Sequence, residues 1–221
     1  FLQLIRKIGP DNLWPILTGK YHQPQQEERV FMFLDLRSST YYAEKLGHMK
    51  YSLLIQDCFR DLNLMMNKYQ LNIYQYLGDG VILTWPLKGD LNVSSCVEIF
   101  FHFLQRIDDR KDYYHESYDL LPEFKAGLHS GKVTAAEIGN YRREIAYHGD
   151  VVNTASRIQD LCNQYDRNLL VSENLRGQLV SNECYHVDLI DSVKLKGKTK
   201  DIKIYAVSNY KVMAKEVGEV A

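Results

Sequence analysis

The sequence predicts an α+β fold: a ferredoxin-like βαββαβ core, one sheet with helices against it, followed by extra strands and a helix. Three observations carry that expectation. Residues 29–36, "RVFMFLDL", form a nearly continuous apolar run of the kind a central buried strand shows. Residues 72–85, "NIYQYLGDGVILTW", are two strand-like runs joined by Gly78-Asp79-Gly80, and Asp-Gly between β-branched and aromatic residues is a strong hairpin signal. Segments of helical periodicity follow the first strand and follow the hairpin.

In chain order, Leu2, Ile5 and Ile8 have helical spacing and are followed by Gly9-Pro10, Pro15 and Pro24. Residues 1–28 therefore read as the end of a helix and an irregular lead-in from an upstream region. The strand 29–36 carries Asp35 near its end, and "SSTYYAEKLGHMKYSLLIQDCFRDLNLMMNKYQ" continues helically with Ser38, Ser39 or Thr40 as N-cap. Leu53, Leu54, Phe59, Leu62, Met65 and Met66 make the apolar stripe of a second helix there. After the hairpin comes a helix over about 91–109, on Val93, Val97, Phe100, Phe101, Leu104 and Ile107, then a Tyr-rich loop at 110–121. "EFKAGLHSGKVTAAEIG" and "REIAYHGD" read as strands, and "VVNTASRIQDLCNQY" as a helix beginning after Gly149. A strand near 168–171, a helix near 173–180 and strands near 184–190, 192–196 and 201–207 complete a domain over 29–208, with 209–221 as a tail.

Composition narrows the function classes. The 221 residues are 45% hydrophobic and 25% charged, ordinary for a globular domain. Lys plus Arg number 27 against 28 for Asp plus Glu, so no basic excess points to nucleic acid, and an anionic ligand must be met by local charges. Cys58, Cys96, Cys162 and Cys184 are far apart and show neither C-x-x-C pairs nor metal spacing, which suits reduced thiols and a cytoplasmic setting. No run approaches the about 18 apolar residues of a membrane span, but the chain opens on Phe1, so a longer protein with a regulatory or membrane region is compatible with it.

Asp35 and Asp79 each close a hydrophobic strand. In a ferredoxin-like sheet whose first strand lies beside the hairpin, the two carboxylates can sit side by side, where they repel unless a cation lies between them. Mg²⁺ takes one or two carboxylates plus phosphate oxygens of a substrate. Ser38, Ser39 and Thr40 would open a helix whose free N–H groups can hold a phosphate. Each residue singly has a plainer reading: Asp79 as a turn residue, Ser38 to Thr40 as an ordinary cap, Asp35 as an acid at a helix dipole. Their conjunction is what points to chemistry.

"FLDLRSST", "YLGDGV", "GLHSGKV", "HGDVVNTASRI" and "LKGKTKDIKIYAV", in that order over about residues 29–208, resemble the catalytic domain of class III nucleotidyl cyclases. The resemblance implies that Asp35 and Asp79 bind two Mg²⁺ or Mn²⁺ ions per active site, with the backbone carbonyl of Leu36 as a further ligand. It implies that Asn153 orients the ribose and Arg157 stabilises charge at the α-phosphate. These two lie one helical turn apart and share a face. Lys196 matches the lysine that meets the terminal phosphates, and Arg142 or Arg143 could also face the triphosphate. In the family the aspartates and the Asn/Arg pair of one site come from different chains, which implies a homodimer with two shared sites.

For the base, typical adenylyl cyclases of the family read adenine with a Lys and an Asp, and guanylyl cyclases carry a Glu at the first position. The matching residues here are Gln75 and Ala146. A Gln amide satisfies either purine by flipping, while Ala146 leaves its place to a backbone carbonyl, a water or Glu144. The expected reaction is ATP to 3′,5′-cyclic AMP and pyrophosphate, with GTP as the alternative substrate. A catalytically silent nucleotide-binding or dimerisation module is the competing class, and retention of both aspartates with Asn153 and Arg157 argues for the enzyme. A polymerase palm or a diguanylate cyclase would lack the N-x-x-x-R helix, and "GGDEF" and "GGEEF" do not occur.

Overall fold

The computed structural model describes residues 18–69, 71–87, 93–141, 143–179, 185–195 and 201–209. Its elements, in order, are β1 (Gln25–Leu36), α1 (Ser39–Asn63), α2 (Met66–Tyr69), β2 (Asn72–Leu77), β3 (Gly80–Pro86), α3 (Ser94–Asp109) and α4 (Lys111–Tyr118). They continue with β4 (Phe124–Ile138), β5 (Glu144–His148), α5 (Asp150–Gln164), β6 (Leu169–Ser172), α6 (Glu173–Arg176), β7 (Tyr185–Val193) and β8 (Ile202–Asn209).

One sheet runs β2-β3-β1-β4-β6-β8-β7, with β5 paired to the outer part of β4. The first four strands have the ferredoxin-like order and are antiparallel to their neighbours. β6 then joins β4 in parallel, which requires the crossover that α5 supplies. Alternation along β1 divides the core. Val30, Met32, Leu34 and Leu36 face α1 and α3 in the main cluster, with Trp85, Phe100, Phe103 and Phe124. Phe31 and Phe33 face the other way, onto Val151 and Ala155 of α5. Helices thus cover both faces of the sheet, and α5 lies on the face that carries Asp35.

Glycine makes that second layer possible. A Cβ at Gly127 would lie 2.2 Å from the backbone nitrogen of Gln159 and 2.7 Å from the carbonyl oxygen of Ala155. No side chain fits between β4 and α5 at this point, and the helix settles directly on the strand.

Several elements differ from expectation. The two helices read after Asp35 form one element bent at Gly47, whose φ of 71° is not helical. Leu54, Cys58 and Leu62, spaced by four, point into the core together with Phe59, so Leu53, about 100° or more round the helix from each of them, is left 53% exposed. The Tyr-rich segment is the helix α4, not a loop. Its hydroxyls bind α1: Tyr113 and Tyr118 each donate to Asp57 at 2.5 Å, and Tyr114 donates to Asp61 at 2.8 Å. The two strands expected around 184–196 are one, β7, with a register shift between Leu189 and Asp191. α6 is a single turn, its N-cap Ser172 accepting from the Leu175 N–H. β1 begins at Gln25, inside the segment read as lead-in, and Tyr21 is buried against Ala135 and Ile145.

Candidate active site

The end of β1 and the β2–β3 turn meet because β1 and β3 are paired: Asp35 is the register partner of Gly80, and Asp79 adjoins it in the turn. Gly78 makes that turn with φ 63°. Gly80 leaves space for the carboxylate, since a Cβ there would come 3.1 Å from Asp35 Oδ1. Burial first, and then the charge of Asp79, push the Asp35 carboxyl above the usual range, more than Lys125 lowers it. The two acids therefore act on one another, as side-by-side carboxylates should.

Beyond Asp35 the chain turns sharply. Ser38, the N-cap of α1, has φ 53° and ψ 31°, a left-handed conformation uncommon for a serine, and its side chain makes no capping bond. The first-turn N–H groups of α1 are left without a side-chain cap, the arrangement that receives anions. Ser39 bonds the Tyr51 hydroxyl, which burial and then the Asp79 charge push up; Ser38 and Thr40 are exposed. Leu36 is buried through its side chain, paired with Phe124. The corner is anchored by Arg37, which donates to Asn168 Oδ1 at 2.9 Å and to the Arg167 carbonyl at 2.6 Å.

Two side chains that the sequence did not single out complete the surroundings of Asp35. Lys125 Nζ lies 3.4 Å from Oδ2, and Gln159 Nε2 donates to the same oxygen at 3.1 Å. A signal for both was present: a lysine in the apolar strand "FKAGL", and a polar residue in the buried stripe Ala155–Ile158–Gln159–Cys162.

α5 carries the other predicted pair. Asn153 is exposed and Arg157 half-buried, and neither has a hydrogen bond or ion pair among the described residues. Gln159 sits about 200° round the helix from Arg157, so the face that reaches Asp35 is opposite to the face bearing Arg157. One chain does not bring Asp35 and Arg157 together. Arg143 is ion-paired with Glu137 at 3.0 Å. Lys196 and Arg142 lie outside the described residues.

Gln75 and Ala146 face opposite ways from their strands. Gln75 is exposed and pairs with Ile82, on the α5 side of the sheet. Ala146 pairs with Ala136, and by alternation it faces away from the side taken by Tyr147. On Gln75's side, a bulge beside it brings Tyr74 to Tyr147 and Phe31, with ring centroids 5.1 and 6.3 Å away. Burial raises the Tyr147 hydroxyl to about 12, and the Arg29 guanidinium stacks 4.7 Å over its ring.

Among the described residues no group of three or more His, Cys, Asp and Glu is arranged to hold an ion, and no helix is long and apolar enough to cross a membrane. Asp35 and Asp79 nevertheless fit a hard divalent cation: two mutually repelling carboxylates, hard oxygen donors, partly open, beside uncapped N–H groups. A cation held by two carboxylates has coordination left for phosphate oxygens.

The family model described as "Adenylate and Guanylate cyclase catalytic domain" matches residues 21–209. "Adenylate cyclase 2" of Rhizobium meliloti is 30% identical over 207 residues, covering 94% of this chain and 57% of that protein. "Adenylate cyclase" of Anabaena cylindrica is 29% identical over 211 residues, covering 93% of this chain and 41% of that protein. The chain thus spans about half the length of these relatives. The crystal structure of the adenylyl cyclase CyaB from P. aeruginosa superposes with a TM-score of 0.74 at 17% identity, over 85% of this chain and 96% of that one, a likeness of fold.

Proposed function

The chain belongs to the adenylate and guanylate cyclase catalytic-domain family, and from that premise we propose that it is an adenylate cyclase, turning ATP into 3′,5′-cyclic AMP and pyrophosphate at sites shared by two copies. The observation that carries the reading is the pairing of Asp35 with Gly80, which sets the Asp35 and Asp79 carboxylates at one corner beside the uncapped start of α1.

In this reading Asp35, Asp79 and the Leu36 carbonyl hold two Mg²⁺ or Mn²⁺ ions. Bound there, the cations supply activation of the ribose 3′-hydroxyl and neutralisation of phosphate charge. The amides of Ser38, Ser39 and Thr40 receive the phosphates, with Lys196 toward their far end. The 3′-hydroxyl loses its proton to water, and the O3′–Pα bond forms as the bond from Pα to the pyrophosphate oxygen breaks. Asn153 of the partner subunit orients the ribose, and Arg157 of the partner subunit meets the charge that builds at the α-phosphate. The outward face of α5 supports this division, because Arg157 and Asn153 have no partners among the described residues and turn away from their own chain's Asp35. A domain that consumes ATP belongs in the cytoplasm, in keeping with the buried free thiols of Cys58, Cys96 and Cys162.

GTP is the second reading, left open because Gln75 and Ala146 match neither the Lys/Asp pair of typical adenylyl cyclases nor the Glu of guanylyl cyclases. Turnover of ATP and of GTP, each with Mg²⁺ or Mn²⁺, followed by cyclic product and pyrophosphate, tests both. Cyclic AMP as main product is expected. Cyclic GMP would overturn the base assignment and keep the mechanism, and bound but unconverted nucleotide would favour a silent module.

A further inference from the structure

Lys125 has no part in the reaction as proposed, yet its position is demanding. It stands directly across from Asp35 in the β1–β4 register, and it is 8% exposed. Withdrawing an ammonium group from water is costly unless a carboxylate repays it, and the carboxylate it meets is Asp35, at 3.4 Å from Oδ2. Asp35 has no other cationic partner among the described residues. Asp79, and more weakly Asp160, repel its charged form, and Lys125 is the cation that favours it. Gln159, 6% exposed, takes the same Oδ2 without adding charge.

Charge and orientation are thus supplied by different side chains. A lysine is suited to the first task, being a compact charge on a stem flexible enough to draw back. A neutral amide on a helix seated against Gly127 is suited to the second. We propose that Lys125 is an internal counterion of the metal corner: it offsets the repulsion between Asp35 and Asp79 while no divalent cation is bound, and gives up part of that role when one arrives. Gln159 is the positioning residue that keeps Asp35 aimed in both states. Lys125 therefore stabilises the metal-free protein and weakens its hold on the cation. The inference rests on the reading of Asp35 and Asp79 as metal carboxylates.

The test is thermal unfolding of the intact protein with and without MnCl₂, together with Mn²⁺ titration calorimetry, on wild type, Lys125→Met, Lys125→Gln, Lys125→Arg and Asp35→Asn. Neutral variants should melt lower without metal, gain more from Mn²⁺ than wild type does, and bind Mn²⁺ about fivefold tighter or more. Lys125→Arg should behave as wild type, and Asp35→Asn should lose the Mn²⁺ response. Lys125→Gln keeps a polar group at the site if Lys125→Met does not fold. A Mn²⁺ response and affinity in both neutral variants equal to wild type, or weaker, overturns the counterion role while leaving the metal reading intact. No Mn²⁺ response in wild type overturns the metal reading and this inference with it.

Discussion

Gln159 donates its side-chain amide to Asp35 across 3.1 Å, joining the helix α5 to the end of β1 over 124 positions of sequence. The contact fixes how α5 is rotated. With Gln159 turned to the sheet, Asn153 and Arg157 must face outward, where a second copy of the chain can use them.

Mixing two inactive variants checks that consequence. Asp35→Ala and Arg157→Ala should each be inactive alone, and equal mixing after subunit exchange should restore about a quarter of wild-type turnover, since half the dimers are mixed and each has one intact site. Absence of rescue, with mixed dimers verified by tagged pull-down, would sink the shared-site reading.

Gly127→Ala probes the seating of α5. The added methyl would meet backbone on α5 at 2.2 Å, which no side-chain adjustment relieves. A loss of at least about 2 kcal/mol in urea unfolding is expected. Metal-dependent turnover should fall further than the stability loss accounts for, because α5 carries Gln159 and Arg157 together.

What could be read from sequence follows the range of the interactions. Asp35 and Asp79 were legible because strand ends, turn glycines and N-caps are local signals. Lys125 and Gln159 were not, because their meaning depends on the β1–β4 register and on how α5 is rotated, both decided by distant contacts. The Tyr-rich segment looked like a loop since Tyr113, Tyr114 and Tyr118 lie amid polar residues; their partners, Asp57 and Asp61, stand more than 50 positions away on α1. Gln75 and Ala146 could be aligned by motif, but the face each occupies is set by strand pairing and by the bulge beside Gln75.

That helix-to-helix network carries a stability prediction. Asp61 is 1% exposed and accepts from Arg106 at 3.1 Å, Arg110 at 2.5 Å and Tyr114 at 2.8 Å. Asp61→Leu leaves two guanidinium groups and a hydroxyl without their acceptor, and should cost about 2–4 kcal/mol in urea unfolding. Tyr114→Phe removes one donor from the same oxygen and should cost about 1 kcal/mol. Equal, small losses for both would mean that water replaces the acid without penalty.

Glu27 sets an acid limit. Burial by itself would raise its carboxyl, but hydrogen bonds from Tyr21, Lys20 and Arg29 outweigh that and hold it at about 2, against 4.5 in the unfolded chain. A depressed carboxyl contributes stability that is fully present above the unfolded value and is lost as pH falls through the folded one. Wild type should therefore be more stable than Glu27→Gln at neutral pH, and the gap should close between about pH 4.5 and pH 2. Urea unfolding of both proteins across that range measures it; a gap that stays constant would assign the difference to packing.

Base choice should turn on Gln75. Adenine offers an acceptor at N1, whereas guanine offers N–H donors at N1 and its 2-amino group. A glutamine can serve either by turning its amide over, so Gln75 leaves the discrimination weak, while a glutamate only accepts. Gln75 is exposed on the α5 side of the sheet beside Tyr74, whose ring meets Tyr147, so a purine seated there would have aromatic surface near the same edge. Ala146, facing the other way, has no group to oppose a change at Gln75. Gln75→Glu should raise the ratio of GTP to ATP kcat/KM by about tenfold or more, chiefly by setting a carboxylate, which only accepts, against the N1 acceptor of adenine. An unchanged ratio would show that Gln75 does not read the base and would leave that task to a backbone carbonyl, a water or Glu144.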